Sequence, residues 1–271
     1  MLIRSLAIIA IACVITPVIA ANKQTAMQST VLATSYTVQD LDTGEVLQSK
    51  NDTEVRSIAS ITKLMGAIVA LDAFTDLSTT INVKHINGIS TKIPNNTAMS
   101  ISDLLHLSLM SSDNLAAKEL ARNYPGGEEQ HIKAMNEKAA SLGMHNTTYT
   151  DPTGLFDTNV STAQDLAKLM FHASGYAIIR SFSTSSSYTL KIPGKKQPRI
   201  IEFRTTNRLV SSNSNIILSK TGWIKKSGGC LVMLIEQQGR RLAVILLNSK
   251  NTQTRIRDGA LLYGLQHGQG F

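Results

Sequence analysis

Apolar and polar positions alternate over Ser35-Tyr36-Thr37-Val38-Gln39-Asp40-Leu41, pause at Asp42-Thr43-Gly44-Glu45 and resume at Val46-Leu47-Gln48. A period of two on both sides of a turn predicts a β-hairpin near the N-terminus. The period then lengthens. Arg56 to Met65 runs into Gly66-Ala67-Ile68-Val69-Ala70-Leu71, an apolar helical pattern that starts around Ser60 and ends near Phe74. Thr75 to Met99 is polar and irregular, with strand-like pieces at Thr80–Val83 and around Ile89–Ile93 between turn residues such as Asn87-Gly88 and Pro94-Asn95-Asn96. Ser100 stands three residues before Asp103 and opens a helix whose Leu104, Leu105, Leu107, Leu109 and Met110 leave few polar sides, the mark of a buried helix. Ser111-Ser112-Asp113-Asn114 interrupts it before Leu115 to Ala121 resumes helical periodicity. Asp113 or Ser112 can cap that second helix. The same polar cluster can also present Ser112 and Asn114 to a cleft.

Glu128 to Leu142 reads as an amphipathic helix stopped by Gly143, Thr150 to Leu155 as a turn-rich segment, and Ser161 with Gln164 as the capping box of another helix. Beyond Ser174 the pattern changes again. Ser187–Ile192 and Arg199–Phe203 read as strands around Pro193-Gly194, Ile216–Trp223 as a third, and Gly229–Glu236 with Arg241–Leu247 as a hairpin around Gln238-Gly239-Arg240. Thr252 to Leu265 closes the chain as a helix. Strands at both ends around a helical middle predict a mixed α/β (α+β) fold. One antiparallel sheet is assembled from the two termini and flanked by helices, with an all-helical lobe over about 84–172.

Composition narrows this reading. A chain of 271 residues, 42% hydrophobic and 17% charged, has ample material for a core. Aromatic residues make up 5% with a single Trp, which argues against a surface for stacking sugars or bases. Met1 to Ala20 carries Arg4, a short apolar run from Leu6 to Ile15 and a small-residue exit at Pro17–Ala20, the pattern of a cleaved secretory signal. Residues 1–20 are therefore expected to leave, residues 21–271 to form a single domain, and no stable membrane span to remain. An uncleaved anchor is the rival reading. Cys13 goes with the signal and leaves Cys230 alone in a strand pattern, a core residue with no disulfide partner. The formal net charge of +8 is spread over pairs such as Lys195-Lys196, Lys225-Lys226 and Arg240-Arg241. Attraction to an anionic polymer is one reading and a solvated basic surface the other; without a basic helix or aromatic platform, nucleic acid is not the expected partner. The six histidines show no pair at metal-ligand spacing, so neither a metal nor another cofactor is expected.

Candidate chemistry begins at Ser60 and Lys63, three residues apart and so on one helical face. A serine hydroxyl needs a neighbouring base to act as a nucleophile, and a lysine serves when burial or a nearby cation holds it neutral. Alone, Ser-x-x-Lys reads first as a helix start with a solvated lysine. It is not alone. Ser112-Asp113-Asn114 lies between two helices, and Lys220-Thr221-Gly222 lies in a strand.

The three motifs, in this order and these contexts, resemble the penicillin-recognising serine enzymes, the D,D-peptidases and serine β-lactamases. The resemblance implies the serine β-lactamase/D,D-peptidase-like fold with the site at the seam between lobe and sheet. Ser60 would be the nucleophile and Lys63 its base. Ser112 would relay a proton, and Asn114 would orient Lys63 and the substrate amide. Lys220 would lower the Lys63 pKa and, with Thr221, hold a substrate carboxylate, while Gly222 lets substrate approach the strand. The backbone N–H groups of Ser60 and Trp223 would form the oxyanion hole.

The stretch Met144–Leu155 lacks the Glu or Gln that would activate a deacylating water, so rapid β-lactam hydrolysis is not expected. Asp151-Pro152-Thr153-Gly154-Leu155, Asn159–Ala163, Lys220–Trp223 and Gly228–Val232 are similar to the low-molecular-mass penicillin-binding proteins of peptidase family S11. The chain stops at Phe271 and its tail Gly264–Gly268 is not expected to form the amphipathic membrane anchor of the carboxypeptidases, so the chain is most similar to the short periplasmic D-alanyl-D-alanine endopeptidases of the penicillin-binding protein 7 type. That implies peptidoglycan stem peptides as substrate and β-lactam antibiotics as covalent inhibitors. A carboxypeptidase rests on the same residues. A non-catalytic penicillin-binding sensor is the reading from another class, and turnover of a D-Ala-D-Ala peptide separates it from an enzyme.

Overall fold

Tyr36, Thr37, Val38 and Asp40 are buried, although their strand lies more than 200 residues from its partner, because the two ends of the described chain share one sheet. The computed structural model describes residues 31–193, 197–237 and 239–266. The expected signal, the chain end beyond residue 266, and parts of the Pro193-Gly194 and Gln238-Gly239-Arg240 turns lie outside the described residues. The chain divides into an N-terminal unit, residues 1–32, and a unit of residues 33–271.

In the larger unit, β1 (Ser35–Asp40) and β2 (Val46–Lys50) form the expected hairpin, and β9 (Ile216–Ile224), β10 (Gly228–Gln237) and β11 (Arg240–Ser249) complete an antiparallel sheet of order β2-β1-β11-β10-β9. The register pairs Val38 with Val244 and Val232 with Lys220. β10 and β11 read as near-continuous apolar runs because helices leave them no wet face. Helix α1 (Thr62–Ala73), directly after the 3-10 turn Ala59–Ile61, is buried from Thr62 to Ala70. Its Leu64, Met65 and Ile68 join Leu218, Val232 and Ile245 of the sheet in one core with Leu104, Leu105 and Leu107 of α2 (Ile101–Met110). Burying each such side chain stabilises by about 1.5–3 kcal/mol, so α1 is the fixed spine on which the site is placed.

The remaining helices follow the sequence closely: α3 (Asn114–Arg122), α4 (Gly127–Ser141), α5 (Ala163–Ala173) and a C-terminal helix at Thr252–Gln266. Ser100 caps α2 in a full capping box with Asp103. Gly143, at φ +69°, ends the α4 segment.

Four features differ from the sequence expectation. The strand expected near Ile89–Ile93 is absent; β4 (Thr80–Val83) pairs instead with β5 (Thr97–Ser100), while the Ile93 carbonyl is bonded to His85 Nε2 and Thr91 Oγ1 donates to Asp113. Helix α5 is capped by Thr162 with Asp165, one residue later than Ser161, because Ser161 is held in β6 (Val160–Ser161) against β3 (Arg56–Ser57). An unpredicted helix, α6 (Ala177–Thr184), lies before the C-terminal helix, α7 (Thr252–Gln266). Finally, β7 (Ser187–Ile192) and β8 (Arg199–Arg204) pair only with each other, outside the main sheet. No helix among the described residues is long and apolar enough to cross a membrane.

Candidate active site

Ser60 sits in the 3-10 turn that leads into α1, and that turn is held from two sides. Ala59 adopts φ +46°, a conformation that L-residues avoid and that recurs where function over-determines the backbone. A Cβ on Gly154 would lie 2.0 Å from the Ala59 oxygen, and one on Gly222 would lie 2.9 Å from Ser60 N. Two glycines thus let separate segments close on the nucleophile. Inside the turn, Thr62 Oγ1 donates to the Ala59 carbonyl at 2.7 Å and accepts from Asn159 Nδ2 at 3.0 Å.

One turn on, Lys63 is buried, and its Nζ lies 2.8 Å from Ser60 Oγ, 2.8 Å from Asn114 Oδ1 and 2.6 Å from the Thr153 carbonyl. Three acceptors match the three donors of an ammonium. They equally suit a neutral amine that gives two N–H bonds to Asn114 and Thr153 and turns its lone pair to the Ser60 hydroxyl. Burial pulls the Lys63 pKa down to about 7, against the opposing pull of the Asp151 and Asp113 charges. Of the two causes the sequence offered, burial and the Lys220 charge, burial is the leading one.

The second wall comes from the break between α2 and α3. Asp113 caps α3 through the Ala116 N–H at 2.9 Å, and Ser112 at φ +60° makes the corner. This places Asn114 on Lys63 and Ser112 on Lys220, whose Nζ donates to Ser112 Oγ and to the Thr221 carbonyl at 2.8 Å each. Ser112 is therefore bonded to Lys220. Burial, followed by the Lys63 and Arg255 charges, depresses the Lys220 pKa well below an ordinary lysine. On β9, Thr221 Oγ1 donates to Thr206 Oγ1 at 2.6 Å, and Arg255 Nη1 donates to the Gly222 carbonyl at 2.9 Å. Trp223 follows at the rim, with its side chain exposed. A cleft of about 510 Å³ opens beside Ser112 and Asn114, lined also by Thr91, Lys92, Glu202 and Arg204.

Ser60, Lys63, Ser112, Asn114, Lys220, Thr221 and Gly222 thus converge from a 3-10 turn, a helix start, an interhelical corner and a strand. Thr206 and Arg255 were not singled out in the sequence, and Thr153 and Asn159 stood there only within stretches of family resemblance, with no role assigned. Thr153 acts through its main-chain carbonyl, which no residue type announces. Asn159 and Arg255 make their bonds from buried positions distant in sequence. Cys230 is buried in β10 beneath the Ser57 carbonyl and plays the expected core part.

Comparison with known proteins meets this geometry. Residues 22–251 match the family model described as D-alanyl-D-alanine carboxypeptidase, peptidase S11. The chain is 40% identical over 246 residues to a D-alanyl-D-alanine endopeptidase of Escherichia coli (strain K12), covering 88% of this chain and 78% of that one. Among solved structures, the Streptomyces K15 DD-transpeptidase superposes with a TM-score of 0.82 at 26% identity, covering 88% of this chain and 98% of its own. Penicillin-binding protein D2 from Listeria monocytogenes, in its ampicillin-bound form, does so with 0.76 at 26% identity, covering 88% and 98%. A nucleophile-base pair, the corner that holds it and a lysine-bearing strand, on this fold and with a family match over most of the chain, lead to one conclusion: the chain belongs to the S11 family of serine peptidases, the D-alanyl-D-alanine carboxypeptidase family.

Proposed function

We propose that the chain is a penicillin-sensitive D-alanyl-D-alanine endopeptidase of the periplasm, cutting peptide cross-links of peptidoglycan through an acyl-enzyme on Ser60. The observation that carries the proposal is Lys63, a buried amine 2.8 Å from Ser60 Oγ and poised near neutrality. A base whose pKa lies near the working pH is both available and strong enough to take the hydroxyl proton.

Ser60 Oγ attacks the D-alanyl carbonyl as its proton passes to Lys63. The oxyanion is held by the backbone N–H groups of Ser60 and Trp223, and losing such a donor typically costs on the order of a hundredfold or more in rate. The amide C–N bond breaks as Ser112 hands a proton to the departing amine and is reprotonated by the proton that Lys63 took from Ser60, which leaves Lys63 neutral again. Water then attacks the ester with Lys63 again as base. Lys220 and Thr221 bind the carboxylate beside the scissile bond, and that negative charge favours the protonated form of Lys220. Asn114 keeps the Lys63 amine in register and bonds the substrate amide.

The endopeptidase reading is favoured by the 40% identity to an enzyme of that name, and the ampicillin-bound relative supports β-lactams as acylating inhibitors. A carboxypeptidase draws on the same residues and is supported by the family's description. Cross-linked muropeptide dimers and monomeric pentapeptides, each incubated with the purified protein and read by mass spectrometry, separate the two. Conversion of dimer to monomers is expected. Loss of one terminal alanine from pentapeptide alone makes the protein a carboxypeptidase, and no product from either points to a sensor. Ser60→Ala is expected to fold and to take no label from a fluorescent penicillin; full labelling of that variant removes Ser60 as nucleophile.

A further inference from the structure

The Asp-Pro-Thr-Gly-Leu segment is a sequence motif that the reaction as written leaves without a part. Its aspartate, Asp151, is 5% exposed. Oδ1 accepts from Thr153 N at 2.7 Å, from Gly154 N at 2.8 Å and from the Thr153 hydroxyl. Three bonds to one oxygen fold the tight turn over 151–154. Oδ2 is buried with no partner. Asn159 fastens the turn to α1, donating to the Asp151 carbonyl at 2.8 Å and to Thr62 Oγ1 at 3.0 Å. The turn ends with the Thr153 carbonyl 2.6 Å from Lys63 Nζ and with Gly154 against Ala59.

We propose that Asp151 is a positioning residue for the base: its carboxylate folds the turn that sets the Thr153 carbonyl on Lys63. A carboxylate held there also opposes the loss of the Lys63 proton. The inference rests on the reading of Lys63 as general base. The physical case is an unbalanced one. A carboxylate needed only to cap a turn could be an asparagine or a serine, yet here a charge is buried with one oxygen unmatched, and the buried cation beside it is the group it can act upon.

The groups that face Lys63 are few. From α3 comes Asp113, whose charge works in the same direction as that of Asp151; from β9 comes Lys220, itself acted on by Arg255. His131 of α4 packs beside Gly66 and Pro152 and is held neutral, its pKa pushed down by burial to about 4. Removing the Asp151 charge therefore leaves the protonated lysine less favoured. Neutral base persists to lower pH.

The test is the pH dependence of Ser60 acylation by a fluorescent penicillin in the full chain. The wild type is expected to lose rate on the acid side with a midpoint near the Lys63 value of about 7. Asp151→Asn keeps an oxygen for the three turn bonds and removes the charge, so its acid midpoint is expected to fall by on the order of one pH unit. Asp151→Ser, whose hydroxyl can cap the turn, carries the same expectation and serves if the amide does not fold. A purely structural part would lower the rate at every pH and leave the midpoint in place, and that result overturns the proposal. Failure of the underlying reading looks different. Lys63→Ala would then acylate at the wild-type rate, and the inference would fall with it.

Discussion

Gly154 and Gly222 carry no chemistry, yet they decide where the nucleophile stands. Gly154 adopts φ +76° and meets Ala59 so closely that a Cβ would fall 2.0 Å from its oxygen, 2.3 Å from its carbonyl carbon and 2.9 Å from Ser60 N. All three neighbours are backbone, so none can swing away. Gly154→Ala is expected to push the 3-10 turn aside, and a displacement of about 1 Å at a reacting group costs on the order of a hundredfold in rate. Gly44→Ala is the matched control. It too lies at positive φ, +79°, but meets nothing within 4 Å. That variant should lose about 1–2 kcal/mol of stability to backbone strain and acylate normally. Penicillin-labelling rates and melting temperatures for the pair separate close approach from strain; equal labelling by both would show that Gly154 does not position Ser60. Gly222 was legible in the sequence as a residue that lets substrate near the strand. That it also clears Ser60 N was not, because the close approach joins positions 162 residues apart.

Helix ends and a small hairpin decide how the walls are oriented. Ser100, Asp113 and Thr162 cap α2, α3 and α5, each with a side-chain oxygen on the backbone N–H three residues on. Such caps are local chemistry, which is why the sequence predicted α2 in full and missed the start of α5 by one residue only. The choice between Ser161 and Thr162 was not local: β6 pairs Ser161 with Arg56 and claims it. Thr162→Ala should cost about 1 kcal/mol, lowering the melting temperature by roughly 2–4 °C with little effect on acylation. Ser161→Ala removes no cap; what it loses is the bond between its Oγ and Thr147 Oγ1 at 2.7 Å. Helix α6 was invisible for a related reason. Its sequence, Ala177–Thr184, spans only eight residues, too few for a helical period to stand out, and its place is fixed by partners elsewhere. His106 of α2 stacks between Phe182 and Tyr188, with ring centroids at 4.3 and 4.5 Å, and Tyr188 OH donates to Asp103. Ser183 Oγ accepts the Ser219 N–H of β9, covering part of the sheet's edge. The β7–β8 hairpin is thereby attached to α2 and α6, and its Glu202 and Arg204 reach the cleft without joining the main sheet.

Across the whole molecule, the sheet can exist only when the two ends of the chain have met, since β1 pairs β11 over the length of the catalytic unit. Its outer end is fastened at Asp40. Oδ1 accepts the Asp42 and Thr43 N–H groups at 2.8 and 3.2 Å, while Oδ2 accepts Arg240 Nε at 2.6 Å. The Leu41 N–H donates to the Arg241 carbonyl alongside. One side chain thus turns the first hairpin and joins it to the last strand. Burial disfavours its charge, but Arg240 and the two turn amides outweigh burial and hold the Asp40 pKa below that of an ordinary aspartate. The sign of the linkage follows. A folded-state pKa below the unfolded one, which lies at about 3.9, gives stability that is present above that unfolded value and is lost as pH falls through the folded one. Asp40→Asn lacks that contribution at every pH. The gap in melting temperature between wild type and Asp40→Asn should be widest near neutrality and should narrow steadily below about pH 4. A gap of constant size down to strongly acid conditions would mean that Asp40 acts only as a neutral turn cap, and that the closure of the sheet draws nothing from its charge. Acylation at neutral pH should survive the change wherever the fold does, because Asp40 is bonded to Asp42, Thr43 and Arg240 and not to the residues that hold Ser60.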